Sequence, residues 1–238
     1  MKKILLTIFA AFALFASTAI AGVGTYGYID YVYDEGSTSV FEFEYGMEFT
    51  EEGSPFSAVM ELSFDGSNAS FETATLTYAA SDELSYTIGN ILSYQGFESF
   101  DQTGMYQYTY QGPASGVAYS AGYAVGASVD YVTDDYSFGV WIGDAGDDDS
   151  YEYLFAYTGI EGLNIGVAEE DNETTNGGTI ENTVVYATYA IDAFTLGIQA
   201  NASDSQTANS DEDFEAFGVS YAVSEDISVS YGASKIEY

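Results

Sequence analysis

The 238-residue chain contains no cysteine, no histidine, two prolines and three basic residues. Without cysteine it has no disulfide framework, no thiolate metal site and nothing to carry the lipid of a lipoprotein. Without histidine, proton transfer at neutral pH would rest on carboxylates or tyrosines. No serine stands in a pattern that gives a nucleophile its base, so the residues support no catalytic reading and imply no cofactor. Three bases against 38 acids leave a formal charge of −35. Such a surface repels phosphate backbones and excludes nucleic-acid binding. The same acidity fits saline surroundings, where salt screens self-repulsion. After residue 21 no apolar run approaches the roughly 18 residues of a spanning helix, so none is expected there.

What is abundant is equally informative. Tyrosine (23), phenylalanine (16) and glycine (25) dominate, and aromatics at 17% exclude a disordered chain. The first residues read as an export signal: Met1-Lys2-Lys3 is basic, Ile4 to Ala16 is apolar, and Ser17 to Ala21 ends in small residues. Cleavage is expected after Ala21, which leaves 22–238 as one domain with Lys235 as its only base against 38 acids, a charge of −37.

The stretch FEFEYGMEF, residues 41–49, puts Phe41, Phe43, Tyr45, Met47 and Phe49 on one parity and Glu42, Glu44, Gly46 and Glu48 on the other. A strand sends successive side chains to opposite faces, so one face here is apolar and the other acidic. The same unit recurs to the C-terminus, predicting thirteen strands near 23–34, 39–50, 56–65, 70–80, 84–92, 115–132, 136–143, 151–158, 163–169, 180–189, 194–201, 213–221 and 227–238. Clean outward sets include Met60, Leu62 and Phe64; Leu76 and Tyr78; Tyr151, Tyr153, Phe155 and Tyr157; and Phe194, Leu196 and Ile198. Residues 180–189 are apolar on both parities, so their register stays open. Tyrosines near strand ends, such as Tyr26, Tyr28, Tyr31, Tyr33, Tyr151 and Tyr153, suit aromatic girdles at two interfaces.

Connections alternate in length. TEEGSP, ASDE, TDD, GIEG, AIDA and AVSED are short; 93–113, 144–150, 170–179 and 202–213 are longer or more acidic, and DEGST and DGSNAS, the first two links at that end, are brief exceptions. Tight turns at one end and long loops at the other, with apolar and polar faces on nearly every strand, describe an all-β transmembrane antiparallel up-and-down β-barrel. Apolar side chains then meet outer-membrane lipid and carboxylates meet a water-filled lumen. Sliding 39–50 by one position would place Glu42, Glu44 and Glu48 in lipid at up to ~2 kcal/mol each, which fixes the register. Glu42, Glu44, Glu48, Glu61 and Asp130 are therefore the expected pore-lining residues. A soluble, secreted acidic β-protein is the competing reading.

Asp144, Asp147, Asp148 and Asp149 invite a calcium reading, but their spacing lacks the alternate acids of an EF-hand. They are weak candidates for a divalent-cation site and otherwise a solvated acidic loop. Trp141 reads as an interfacial or packing residue.

The leader, the hairpins VVYATYAIDAFTLGIQA (184–200) and FGVSYAVSEDISVSYGASK (217–235), and the segment NILSYQGFESFDQTGMYQYTYQGPASGVAYS (90–120) resemble Gram-negative outer-membrane porins, and more loosely the OmpL-like β-barrel porins. The resemblance implies an outer-membrane location, passage of ions and small hydrophilic solutes, a homotrimer, and a constriction loop at 93–113 folded into the lumen, carrying Glu98 and Asp101. Two departures stand out. Many porins oppose those acids with a ladder of arginines and lysines, which Lys235 alone cannot form, so a uniformly negative and cation-selective lumen is expected instead. Porin barrels also close on a terminal aromatic, which Tyr238 and Ile236 fit in part, but thirteen is odd where bacterial barrels are even. Twelve to fourteen strands are expected, with 115–132 as two strands, 105–111 as one, or final strands lacking, as the ways to restore parity. A structural or adhesive barrel with a blocked lumen is the alternative to a channel.

Overall fold

A computed structural model of the chain describes residues 6–7, 22–33, 40–64, 68–92, 94, 123–144, 149–173, 179–205, 210–224 and 228–237. One antiparallel sheet holds every strand in chain order: β1 (Leu6–Thr7), β2 (Val23–Tyr33), β3 (Val40–Thr50), β4 (Phe56–Phe64), β5 (Ala69–Ala79), β6 (Leu84–Leu92), β7 (Tyr123–Val132), β8 (Tyr136–Asp144), β9 (Asp149–Ile160), β10 (Leu163–Glu173), β11 (Thr179–Ile191), β12 (Phe194–Ser205), β13 (Ser210–Ala222) and β14 (Ser228–Glu237). The thirteen long strands answer one to one to the predicted thirteen. β1 is a two-residue addition, Leu6 and Thr7 pairing with Tyr33 and Val32. The start of the predicted strand 115–132 and the candidate 105–111 lie outside the described residues. β6 and β7 nevertheless pair directly, from Leu84 opposite Tyr131 to Leu92 opposite Tyr123, so no strand inserts between them in the sheet.

Among the described residues no ladder joins β14 to β2, and the sheet is not closed. With an odd count of long strands, β2 and β14 run in the same direction, from the short-turn end toward the long-loop end.

Two-residue periodicity becomes a two-faced sheet. On one face Phe155, Ile198, Phe217 and Phe138 are about half exposed; on the other Glu152, Ala168, Val184 and Phe214 are fully buried. This is the inverse of a soluble sheet, whose apolar face is the covered one. At the short-turn end the outward positions form an aromatic girdle: Phe56 against Tyr78 at 5.0 Å, Tyr78 against Tyr86 at 6.5 Å, and Phe194 against Tyr221 at 4.8 Å between ring centres. Tyr131, Tyr136 and Tyr157 continue it around the sheet. Such rings suit the boundary between hydrocarbon and water.

The short turns are built by small polar residues. Ser81 accepts from the amides of Glu83 and Leu84, and Thr133 accepts from that of Tyr136. Asp192, at φ 52°, turns β11 into β12 in two residues, a left-handed conformation that aspartate tolerates. At the opposite end β9 to β13 run further than predicted, taking in 149–150, 170–173, 202–205 and 210–212. Those segments read as loops because they are acidic. Their ladders continue regardless, since backbone pairing does not require an apolar face.

Candidate functional site: the inward wall

The inward face of β2 to β5 carries the carboxylates that alternation predicts. Glu44 and Glu61 are buried, while Glu48 is exposed. Tyr26 joins them. Its ring lies across Gly46, where a Cβ would sit 2.1 Å from the ring carbon Cζ, and its hydroxyl bonds to Glu61. A girdle position was expected for Tyr26; it faces the carboxylates instead, because it shares parity with Gly24 and is cross-strand to Gly46.

A bulge completes this wall. The β4–β5 register passes from Met60–Ala74 to Leu62–Phe71, so Glu72 and Thr73 both stand opposite Glu61. The extra residue lets Phe71 point outward, 58% exposed, while Thr73 still turns in and donates to Glu61 Oε2 at 3.0 Å.

The second wall, β6 to β11, is organised by Tyr94, just beyond β6. Its hydroxyl donates to Asp130 Oδ1 at 2.5 Å, and its amide donates to Glu152 Oε2 at 2.6 Å. Ser128 donates to the other oxygen of Asp130 at 2.7 Å. Gly139 makes room for the ring, since a Cβ there would meet it at 2.8 Å. Burial first, then the hydrogen bond to Asp130 and its charge, raise the Tyr94 hydroxyl above the ordinary tyrosine range, so it remains a donor. Tyr94 thus touches residues of β7, β8 and β9 on the inward face.

This wall carries apolar side chains beside its carboxylates. Ala168, Val184 and Tyr186 form a buried cluster against which Tyr94 and Leu154 pack. Tyr186 lies over Gly166 as Tyr26 lies over Gly46, and Trp141, 1% exposed, lies over Gly143. Glycine on one strand repeatedly makes the seat for an inward ring. The open register of 180–189 is settled too: Asn182, Val184 and Tyr186 point in, Val185 and Tyr189 out.

Of the predicted pore-lining residues, Glu44, Glu48 and Glu61 gather on one wall and Asp130 on the other. For Glu42 the ladder places its backbone opposite Asp30. Glu98, Asp101, Asp147 and Asp148 lie outside the described residues; Asp144 and Asp149 are cross-strand partners at the end of the β8–β9 hairpin. Among the described residues no group of three or more aspartates or glutamates is placed to hold a metal. Sequence reasoning missed Glu152 and Glu170, although both alternate with outward residues, and Tyr94, which no periodicity could flag. Lys235 has the outward parity, opposite Glu215.

Solved structures share this arrangement. OmpT of Vibrio cholerae, an outer-membrane protein, superposes with a TM-score of 0.61 in its in-vitro folded form at 12% identity, over 90% of this chain and 74% of that one. Its outer-membrane expressed form gives 0.59 at 13% identity, over 90% and 75%. A mutant of the Rh. blastica porin gives 0.51 at 15% identity, over 89% and 94%. The chain has the porin-like fold of outer-membrane β-barrels. No family model and no curated protein sequence matches it. The porin-like sheet therefore rests on its pattern of strands and faces, at identities that speak for fold alone.

Proposed function

We propose that the protein is a passive, cation-preferring channel for ions and small hydrophilic solutes in the outer membrane of a Gram-negative bacterium. One observation carries the reading: the inward face holds Glu44, Glu48, Glu61, Asp130, Glu152 and Glu170, while Lys235, the only base after residue 21, has the outward parity. Carboxylates along a lumen attract cations and exclude anions. The inward placement of Tyr94 supports a constriction by 93–113, with Glu98 and Asp101 contributing charge there. The role is non-enzymatic, given the absence of histidine and cysteine. Cleavage after Ala21, export through the periplasm and a homotrimer complete the proposal. N-terminal sequencing and crosslinking of the membrane form test the first and last of these.

Planar-bilayer recording tests the channel itself. Discrete conductance steps with potassium favoured over chloride are expected; absent steps, or a preference for chloride, would reject it. A second reading, a structural barrel with a blocked lumen, is favoured by the full burial of Ala168, Val184 and Phe214 on the inward wall, where an open channel would leave water contact. It predicts a silent bilayer.

A further inference from the structure

The seam between β5 and β6 comes apart part-way up the wall. Its ladder runs from Ala79–Ser85 to Ala74–Asn90 and stops there, although β5 begins at Ala69 and β6 continues to Leu92. Beyond that rung, among the described residues, each strand keeps only its other neighbour: Phe71, Ser70 and Ala69 pair with β4, and Ile91 and Leu92 pair with β7. Two local features part them. The bulge at Glu72 and Thr73 bends β5, as an extra residue in one strand does. Gly89, just before the last rung, takes φ 139°, a conformation open to glycine. A tilted strand rises ~5 Å per two residues, so the parting begins ~10 Å above the girdle pair Tyr78 and Tyr86, inside an apolar band ~25 Å tall.

Backbone groups that lose their rungs at this depth are costly in hydrocarbon and are tolerated where they line protein or water. Asn90 offsets part of that cost. It has the outward parity, cross-strand to Ala74 and Val125, yet it carries an amide whose Nδ2 donates to the carbonyl of Glu72. A side chain thus stands in for the rung that β6 no longer supplies. Above it the outer lips are Phe71, which is exposed, and Leu92; the inner lips are Thr73 and Ile91. We propose that this seam is a lateral passage, latched by Asn90, through which an uncharged apolar molecule moves from the lumen into the hydrocarbon of the membrane. The outer lips open onto hydrocarbon, which excludes charged solutes. Glu61, bonded to Thr73, and the adjoining Glu72 turn anionic amphiphiles away from the inner lip. Such a route bypasses the lipopolysaccharide leaflet at the long-loop end, whose packed saccharides hold apolar solutes out. The inference needs a lumen open at the long-loop end and does not depend on cation preference.

Cells displaying the full chain in their outer membrane test it with N-phenyl-1-naphthylamine, an uncharged apolar dye that fluoresces on entering hydrocarbon. Faster uptake than in cells lacking the protein is expected, and Asn90→Leu, which removes the latch, should speed it several-fold. Because the chain has no cysteine, Thr73→Cys combined with Ile91→Cys places one thiol on each inner lip. Joining them by oxidation, or by a bismaleimide if the gap is too wide for a disulfide, should slow uptake several-fold; reducing the disulfide should restore it. Heat-modifiable migration on gels reports whether each variant is folded, and the crosslinked pair decides the matter if Asn90→Leu is not. Uptake unchanged by the crosslink, or no gain from a folded Asn90→Leu protein, would overturn the proposal. Planar-bilayer recording of the crosslinked and uncrosslinked forms separates the seam from the channel. Dye uptake that falls while potassium conductance holds is expected. A joint fall would assign the loss to a blocked lumen and overturn the seam, whereas a silent bilayer with crosslink-sensitive dye uptake would reject the cation channel and uphold the seam.

Discussion

Replacing Tyr94 by alanine should loosen the inward wall in a way that a bilayer recording can read. Two interactions of the side chain are removed: a hydrogen bond to the Asp130 carboxylate at 2.5 Å and ring packing against the cluster of Ala168, Val184 and Tyr186. A hydrogen bond to a charged group contributes ~1.5–3 kcal/mol, and burying an aromatic ring contributes another ~1.5–3 kcal/mol. Even after the entropy regained by a freed side chain, the loss should exceed ~2.8 kcal/mol, two orders of magnitude in the balance between docked and undocked forms. The amide contact to Glu152 survives the substitution. Tyr94→Phe separates the two contributions, since it keeps the packing and leaves Asp130 with Ser128. If the segment that begins at Tyr94 narrows the lumen, Tyr94→Ala should raise single-channel conductance and add flicker, with Tyr94→Phe between it and the parent. A folded Tyr94→Ala protein with the parent conductance and noise would refute the role assigned to this residue.

Three further expectations follow from the inward wall. Changing Glu44, Glu61 and Glu152 together to glutamine should lower the potassium-to-chloride permeability ratio, measured as reversal potential in a salt gradient, while changing the outward Glu181 should not. Because the chain has no cysteine, single cysteines report faces cleanly. In liposomes a charged maleimide should label Glu48→Cys and spare Phe155→Cys, and the opposite pattern would invert the sheet. Gly46→Val should evict the Tyr26 ring and break its bond to Glu61, costing ~1–3 kcal/mol as overpacking does, seen as a lower urea midpoint for loss of heat-modifiable migration.

Alternation made most of the sheet legible. FEFEYGMEF fixes the inward position of Glu44 and the outward position of Tyr45, and the register agrees throughout β3. Where the pattern failed, a different physical term governed. Glu72 and Thr73 break parity because a bulge lets both turn inward. Tyr26 looks like a girdle residue by type, but its placement depends on Gly46 on the neighbouring strand, a pairing visible only once the register is known. Acidic segments at the ends of β10, β12 and β13 read as loops because composition was taken as a guide to exposure, whereas strand length is set by the ladder. Tyr94 was beyond reach, since its partners lie 36 and 58 residues away.

The shared direction of β2 and β14 has a consequence for engineering. In a sheet with an even number of strands both ends reach the same rim, and a few residues would join them into a circle. Here Val23 sits at the short-turn rim and Glu237 at the other. A linker between them would have to cross an apolar band ~25 Å tall, which takes at least ~8 extended residues. A circularly permuted version with a tight joint should therefore fail to assemble, and one whose linker is long enough to form a strand of its own should succeed.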